Sequence, residues 1–583
     1  MVITSFARFG YEGEIVKVEA DLRRGIPAID IVGLPDGAIR EARERIRAAI
    51  RNSGFDYPRE RILINLSPAN LKKEGSSFDL PIALAVLGTA AGMTADSGGP
   101  RVMVLGELEL SGTVRPVQGI LAAACQGEKE GIDDIILPAE NAAEARVCGN
   151  ARVHGVRTLT EAFHALSSLG SSPRRPNRSP PDTGSSAREY PVNFMPYREG
   201  FEVVHGQRRL VRALAIAAAG GHHLLAYGPP GCGKTLAIRK FPLLLPELDR
   251  ETAITVTRIY GIAGLTLPSY ENDGESDFAV ASGAARGDDR VATNHRGTPS
   301  LARVPPFRAP HQGASLEGMT GGGLRLKPGE ISLAHGGTLF LDEAPQFRTN
   351  VLQALRGPLE TGNVTVSRAG ITVAYPARFQ LLLSMNPCPC GNFGTPDRAC
   401  VCPPDAVERY WKRLAAPLLD RIDLRVRAGI PAGREMALAD RACSTPVAYP
   451  ALSARAVDSA RVVDSANTID TEELRRMVTA ARLRQWRRKE GLPDSRSGGE
   501  TGSWLNAHLD PERTERICEL GTEEREAYTD IIEKGRLSGR GAHGILKVAR
   551  TIADLADSER ITATHLAEAW GFRKREDGAP DML

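Results

Sequence analysis

Gly228-Pro-Pro-Gly-Cys-Gly-Lys-Thr235 spells G-x-x-x-x-G-K-T, and its reading decides the rest of the chain. The apolar run His223-Leu-Leu-Ala-Tyr227 before it reads as a short buried strand, and Leu236-Ala-Ile-Arg-Lys-Phe241 after it has helical character. Strand, loop and helix in that order are the context a phosphate-binding loop requires. Glycines let backbone N–H groups converge on phosphate oxygens, and the helix start adds the positive end of its dipole. Gly228, Pro229, Pro230, Gly231, Cys232, Gly233, Lys234 and Thr235 are therefore the candidate nucleotide-binding set. Lys234 would reach the β- and γ-phosphates of ATP, and the Thr235 hydroxyl would hold Mg²⁺.

A second motif lies about 110 residues downstream, in Gly336-Gly-Thr-Leu-Phe-Leu-Asp-Glu343. An apolar run ending in adjacent carboxylates is weak alone and strong behind a sound phosphate loop. Asp342, at the strand end, is placed for the metal shell. Glu343, one residue on, is placed to polarise the attacking water. Asn363-Val-Thr-Val-Ser-Arg-Ala-Gly-Ile-Thr-Val-Ala374 reads as a β-hairpin with Arg368 near its tip. Phe379-Gln-Leu-Leu-Leu-Ser-Met385 reads as another strand, ending in Asn386, where a polar side chain can touch the γ-phosphate. The stretch 255–330 between the two motifs is glycine-rich and carries no clear pattern.

At 583 residues the chain is too long for one core, so three or four domains are expected. Its 42% hydrophobic and 25% charged content are those of an ordinary globular protein. A net charge of +3 confines any DNA-binding surface to a local patch. No run is long enough to span a membrane, the start does not read as a signal peptide, and nine cysteines are few. A reduced, cytoplasmic setting is expected.

Four cysteines crowd together as Cys388-x-Cys390 and Cys400-x-Cys402, separated by nine residues that include Gly391, Gly394 and Pro396. Four thiolates on a short, turn-rich loop can close a tetrahedral zinc site. The expected role of Zn²⁺ there is structural, bracing a segment that leaves Asn386.

Residues 1–170 alternate strand-like and helix-like patterns, with strands at 14–20, 28–32, 61–66, 102–105 and 134–137 and helices at 38–51 and 80–87. Lys72-Lys-Glu-Gly-Ser-Ser-Phe-Asp-Leu-Pro81 and Gly106-Glu-Leu-Glu-Leu-Ser-Gly-Thr-Val-Arg-Pro-Val117 resemble the proteolytic domain of Lon-type proteases. The resemblance implies the α/β fold of ribosomal protein S5 domain 2 and a Ser–Lys dyad. Ser77 falls near the family's serine, but its lysine position falls at about Leu121, which cannot accept a proton. A proteolytically inactive binding or assembly domain is expected.

Phe307-Arg-Ala-Pro-His311, Pro328-Gly-Glu-Ile-Ser-Leu-Ala-His335, Asn386-Pro-Cys-Pro-Cys-Gly391 and Pro417-Leu-Leu-Asp-Arg-Ile-Asp-Leu424 together resemble the YifB/ComM family. These are magnesium-chelatase-like AAA+ ATPases, and the resemblance spans nearly the whole chain. It implies an α/β protein with a Lon-like domain (1–170), a Pro/Ser/Arg linker (171–189), an AAA+ core (190–430) and a helical lid (450–575). It also implies a homo-hexameric ring acting on single-stranded or branched DNA, as in branch migration during natural transformation. Asn386 would be sensor 1, and Arg421 an arginine finger into the neighbour's ATP site. The plainer alternative pairs Arg421 with Asp420 or Asp423 on a helix surface. Arg540 would be sensor 2, although Gly541 and Gly544 burden a helix there by about 1 kcal/mol each. Arg368 is the candidate DNA contact of the pore hairpin, or an ordinary exposed arginine.

Residues 455–575 read as helical, with Thr471 as an N-cap and a basic run of Arg482, Arg484, Arg487, Arg488 and Lys489. That run would follow a DNA backbone or form a solvated face. Three functions are consistent with these motifs. They are a DNA motor, a chelatase-like ATPase or chaperone remodelling a protein partner, and an ATP-dependent protease, which Leu121 disfavours.

Overall fold

A computed structural model describes residues 1–26, 28–69, 73, 75–93, 101–148, 151–169, 193–268, 301–323, 326–368, 371–394, 398–414, 416–430, 469–490 and 504–573. The linker 171–189, the hairpin tip at 369–370, the loop 493–503 and the C-terminal tail lie outside the described residues, wholly or but for their margins.

The N-terminal unit is built on strands β1 (Val2–Phe9), β2 (Glu12–Arg23), β3 (Ile29–Val32), β4 (Arg61–Ser67) and β5 (Val102–Val104). A small hairpin, β6 (Glu107–Leu108) with β7 (Val114–Arg115), precedes β8 (Asp134–Pro138) and β9 (Arg152–Val156). Seven of these form one sheet in the order β3-β4-β2-β1-β5-β8-β9. β2 runs antiparallel to both β1 and β4, while β5, β8 and β9 are parallel. In β2, Val16, Val18 and Ala20 are buried and Lys17 is exposed, the period-two pattern of a strand with one covered face. The helix Gly37–Asn52 starts on Asp36, whose carboxylate accepts from the Ile39 N–H at 2.9 Å. It turns Ile39, Ala42, Ile46, Ala49 and Ile50 into the core at helical spacing.

One expectation is corrected here. Cys125 and Cys148 form a disulfide, so the cysteines are not all reduced thiols. The helix Ile120–Lys129 and the end of the helix Ala142–Val147 bring their Cα atoms to 5.4 Å, within bridging range.

The central unit is a five-stranded parallel sheet made of β10 (Leu224–Tyr227), β11 (Phe307–Arg308), β14 (Thr338–Leu341), β17 (Gln380–Met385) and β18 (Leu424–Arg427). Their order is β11-β14-β17-β10-β18. Every residue of β10, β14 and β17 is buried, as expected of a parallel sheet covered on both faces. The alternation is clean. Leu224, Ala226 and Leu382 face one apolar cluster, and Leu225, Tyr227, Leu381 and Leu383 face the other. Two hairpins stand off the sheet, β12 (Gly321–Gly322) with β13 (Lys327–Pro328), and β15 (Asn363–Arg368) with β16 (Ile371–Pro376). Within the stretch read from sequence as patternless, Arg250–Ala263 is a helix capped by Asp249.

The N-terminal unit rests on the second hairpin and on that helix. The Arg258 guanidinium donates to the Tyr11 carbonyl at 2.7 Å and lies 4.2 Å from the Tyr11 ring centroid. Tyr11 meets Tyr375 of β16 edge to face.

The lid comprises the helices Thr471–Glu490, Pro511–Ile517, Thr522–Gly535, Gly539–Leu555 and Ala563–Gly571. Ile545, Val548, Ala549 and Ile552 join the cluster under β10 and β18, so the lid is packed onto the sheet's own core. Asp470, not Thr471, caps the first of these helices, and the Thr471 hydroxyl instead accepts from the Phe201 N–H at 2.7 Å.

Three of the five residues of the basic run, Arg482, Arg484 and Arg488, are engaged within the protein, while Arg487 is exposed as on a solvated face. Arg482 donates to the Ala218 carbonyl near the end of the helix Arg208–Gly220. Arg488 binds the buried Asp554, and Arg484 binds the Asp554 carbonyl and Asp557. These guanidiniums are engaged by helix-end carbonyls and by two carboxylates, the buried Asp554 and the exposed Asp557.

The helix Gly539–Leu555 is continuous through Gly541 and Gly544. A Cβ on Gly544 would meet Asp423 at 3.0 Å and Arg573 at 3.2 Å, so its absence lets the core loop approach the helix.

Candidate nucleotide site

β10 delivers Gly228 to the carboxyl edge of the sheet, and the loop ends where the helix Lys234–Arg239 begins. That helix begins and ends two residues earlier than the sequence suggests and gives way to a single turn, Phe241–Leu244, at Pro242. Lys234 is nearly buried, and its ammonium donates to the Gly228 and Pro229 carbonyls at 2.8 and 2.9 Å. The side-chain oxygen of Asn386 lies 3.5 Å from the same ammonium. The residue read as sensor 1 thus stands over the phosphate loop, because β17 and β10 are neighbours.

Asp342 and Thr235 are also brought together. The Thr235 hydroxyl lies 3.1 Å from one Asp342 carboxylate oxygen and 3.3 Å from the other. A hydroxyl and a carboxylate so juxtaposed at the head of the loop are a donor set suited to Mg²⁺. Ser384, which sequence reasoning passed over, donates to Asp342 and accepts from the Glu343 N–H at 3.1 Å. Its signal was a lone hydroxyl inside the apolar run of β17.

Glu343 sits in the left-handed region (φ 51°, ψ 48°), which costs a non-glycine residue roughly 1–3 kcal/mol. That backbone turns its side chain away from the one before it. One Glu343 oxygen accepts from the Gln312 amide at 2.8 Å and the Gln346 amide at 2.6 Å. No motif pointed to either glutamine. Gln312 arrives from the loop after β11, the strand beside β14.

Arg421 and Arg540 are brought together, but not at this loop. Leu424 pairs with Leu224 and Arg427 with Tyr227, so Arg421 lies beyond the amino edge of the sheet while the phosphate loop leaves its carboxyl edge. Both arginines bind one oxygen of Glu360, Arg540 at 3.0 Å. The alternative partners Asp420 and Asp423 are engaged elsewhere, Asp420 by Ser538 and Arg573, and Asp423 by the His222 ring at 2.9 Å. His222 also meets Thr551, tying the start of β18 to the lid.

Arg368 ends β15 and is exposed. It lines a cavity of about 370 Å³ together with Glu317, Thr320, Gly322, Thr365 and Ser367, between the two hairpins.

The four cysteines Cys388, Cys390, Cys400 and Cys402 converge, with all sulfurs within 4.8 Å of one another. The sulfurs of Cys388, Cys390 and Cys400 are 3.3–3.6 Å apart. Four sulfurs at zinc-bonding distance from one ion stand about 3.8 Å apart, so the set fits zinc. The Asn392 N–H is the main cause that pulls the Cys390 thiol down to about 6, while lost hydration pushes Cys388 up. Trp411 anchors the loop through its N–H to the Pro387 carbonyl at 3.0 Å.

In the N-terminal unit, Leu121 is buried and offers only its backbone N–H, to Glu144. Lys73 is buried too, with its ammonium committed to the Gly33 and Pro68 carbonyls. In the turn Ser76–Phe78 it is Ser76 that bonds a carboxylate, Glu107, at 2.5 Å. Among the described residues no lysine serves Ser77. No described helix is long and apolar enough to cross a membrane.

Three family descriptions match the chain. "Magnesium chelatase, subunit ChlI" covers 200–278 and 289–435, "Subunit ChlI of Mg-chelatase" covers 18–141, and "Magnesium chelatase, subunit ChlI C-terminal" covers 468–573. The uncharacterized protein YifB of Escherichia coli K12 is 34% identical over 579 residues, which is 98% of this chain and 96% of YifB. The competence protein ComM of Haemophilus influenzae is 34% identical over 575 residues, 98% of this chain and 97% of ComM. A Lon protease of Methanosarcina barkeri is 28% identical over 146 residues, 24% of this chain and 18% of the protease.

Proposed function

The chain belongs to the YifB/ComM family of magnesium-chelatase-like proteins, and from that premise we propose that it is an ATP-hydrolysing ring motor acting on DNA. The observation that carries ATP hydrolysis is the single cluster of Lys234, Thr235, Asp342, Glu343 and Asn386 at the head of β10. In this reading the loop and Lys234 bind the β- and γ-phosphates. Thr235 and Asp342 would hold Mg²⁺, which offsets phosphate charge when bound. Glu343, restrained by Gln312 and Gln346, orients and polarises the attacking water, and Asn386 steadies that water and the γ-phosphate.

Arg421 and Arg540 stand across the sheet from their own phosphate loop, which supports a role in a neighbour's site. That requires a ring, and the family's expected homo-hexamer supplies one. The word competence in the name of the Haemophilus relative, together with the exposed Arg368 beside the cavity, supports DNA as the substrate. A guanidinium there binds phosphates without reading sequence. The four cysteines would hold Zn²⁺ as a brace. The N-terminal unit, with no lysine on Ser77 among the described residues, serves as a binding or assembly module and not as a peptidase.

The test is steady-state ATP turnover with and without single-stranded and branched DNA, using Glu343→Gln as the blank. Stimulation by DNA that is lost in Arg368→Ala supports the motor. Turnover indifferent to DNA overturns it in favour of the second reading, a chelatase-like ATPase remodelling a protein partner, which the matched magnesium chelatase descriptions favour.

A further inference from the structure

Glu360 lies at the last turn of the helix Arg356–Thr361, three residues before β15 begins at Asn363. One of its carboxylate oxygens receives Arg421, from the segment that closes the central unit, and Arg540, from the first turn of the lid helix Gly539–Leu555. Two guanidiniums drawn to one oxygen would repel each other without it. Arg540, then Arg421, hold the Glu360 carboxyl below the usual range, so it is a charged counter-ion to both.

The corner that carries Glu360 is rigid. Thr361 donates to the Gly357 carbonyl at 3.1 Å and accepts from the Asn363 N–H at 3.3 Å. The Gly362 N–H and carbonyl are both bonded, to Pro358 and Ala377, at 2.9 and 2.7 Å. The Arg421 Nε is buried with no partner among the described residues.

We propose that Glu360 is a positioning residue that gathers Arg421 and Arg540 into one cationic pair, presented as a unit to the phosphates bound by the next subunit. The inference rests on the ATPase reading above. A carboxylate suits this task because it cancels the repulsion between the two arginines and releases them when a phosphate competes. Phosphate oxygens carry more charge than one carboxylate and accept the same guanidinium forks. The geometry requires one acidic residue held by a fixed backbone, and Glu360 provides it.

The experiment compares full-length wild type with Glu360→Ala and Glu360→Gln, without DNA. It measures kcat and KM for ATP, the thermal midpoint, and recovery on mixing subunits. Glu360→Ala is expected to lower kcat about tenfold or more, with KM within about twofold and the midpoint unchanged. Glu360→Gln, whose amide oxygen still accepts from both arginines, should recover part of the loss. Mixing Glu360→Ala with Glu343→Gln subunits should give more turnover than the sum of the two alone, since each Glu360→Ala site can then border intact arginines. A kcat within twofold of wild type, a fall in kcat matched by a fall in thermal midpoint in both variants, or no gain on mixing would overturn the proposal. Wild-type turnover that ignores DNA sinks the DNA reading alone, and a wild type that does not hydrolyse ATP sinks the reading on which the inference stands.

Discussion

Gly391 of the cysteine loop lies against Pro230 of the phosphate loop so closely that a Cβ on Gly391 would sit 2.6 Å from the Pro230 ring. Gly391 also has φ 82°, where a side chain is strained regardless of space. The cysteine cluster and the nucleotide loop are therefore one mechanical unit.

Gly391→Ala is expected to destabilise the protein by about 1–3 kcal/mol, from the left-handed backbone and the clash together. The displaced Pro230 should raise KM for ATP. Thermal melts and ATP titrations check both, and an unchanged KM would separate the two loops.

Metal analysis should find about one zinc per chain, lost in Cys400→Ser. Removing the metal with a chelator should lower the thermal midpoint and weaken ATP binding through the contact with Pro230. A folded, metal-free protein with full ATP affinity would exclude zinc as a brace.

Lys234→Ala should abolish ATP binding or slow hydrolysis at least about a hundredfold. Glu343→Gln should bind ATP like wild type and hydrolyse it about 10²–10⁴-fold more slowly. Equilibrium binding and single-turnover hydrolysis distinguish them, and normal turnover in Glu343→Gln would move the water-activating role elsewhere.

Arg421→Ala should keep its ATP affinity and lose hydrolysis by about a thousandfold. Mixed with Glu343→Gln subunits it should regain turnover, because each supplies what the other lacks. Failure to complement would place Arg421 outside any neighbour's site.

Lost hydration, with Arg378 nearby, pushes the half-buried His335 imidazole down to about 4. Its Nδ1 accepts from the Arg378 N–H at 3.1 Å, a role the protonated ring could not fill. The unfolded ring titrates near 6.5. Between about pH 4 and 6.5 the unfolded chain therefore binds more protons, and stability rises with pH. The contribution is complete above about 6.5 and is lost as the pH falls toward 4. Melts from pH 7.5 to 5 should fall less steeply in His335→Gln than in wild type, and parallel curves would contradict the assignment.

What was legible in the sequence was local. The phosphate loop, the strand ending in Asp342 and Glu343, the hairpin carrying Arg368 and the spacing of the four cysteines each lie within a few residues of chain. Periodicity or motif spacing could report them directly. Of the N-terminal strands, β2 and β4 were legible for the same reason, since buried residues alternate with more accessible ones along their own length, whereas β1 and β9 went unread. The basic run of the helix Thr471–Glu490 was only partly legible, because charge alone does not reveal which carbonyls and carboxylates lie opposite Arg482, Arg484 and Arg488.

The sequence by itself determined which residues can do chemistry, because side-chain identity and local backbone need no partner from elsewhere. Only the tertiary structure decided which of them meet. Ser384 reaches Asp342 because β17 lies beside β14, and Gln312 reaches Glu343 because β11 is that sheet's edge. Arg421 and Arg540, 119 positions apart by number, share Glu360 because the lid helix packs under β18. Cys125 and Cys148 bond because the end of the helix Ala142–Val147 packs against the middle of the helix Ile120–Lys129. Such pairings depend on the packing of distant elements, which no single stretch of chain encodes.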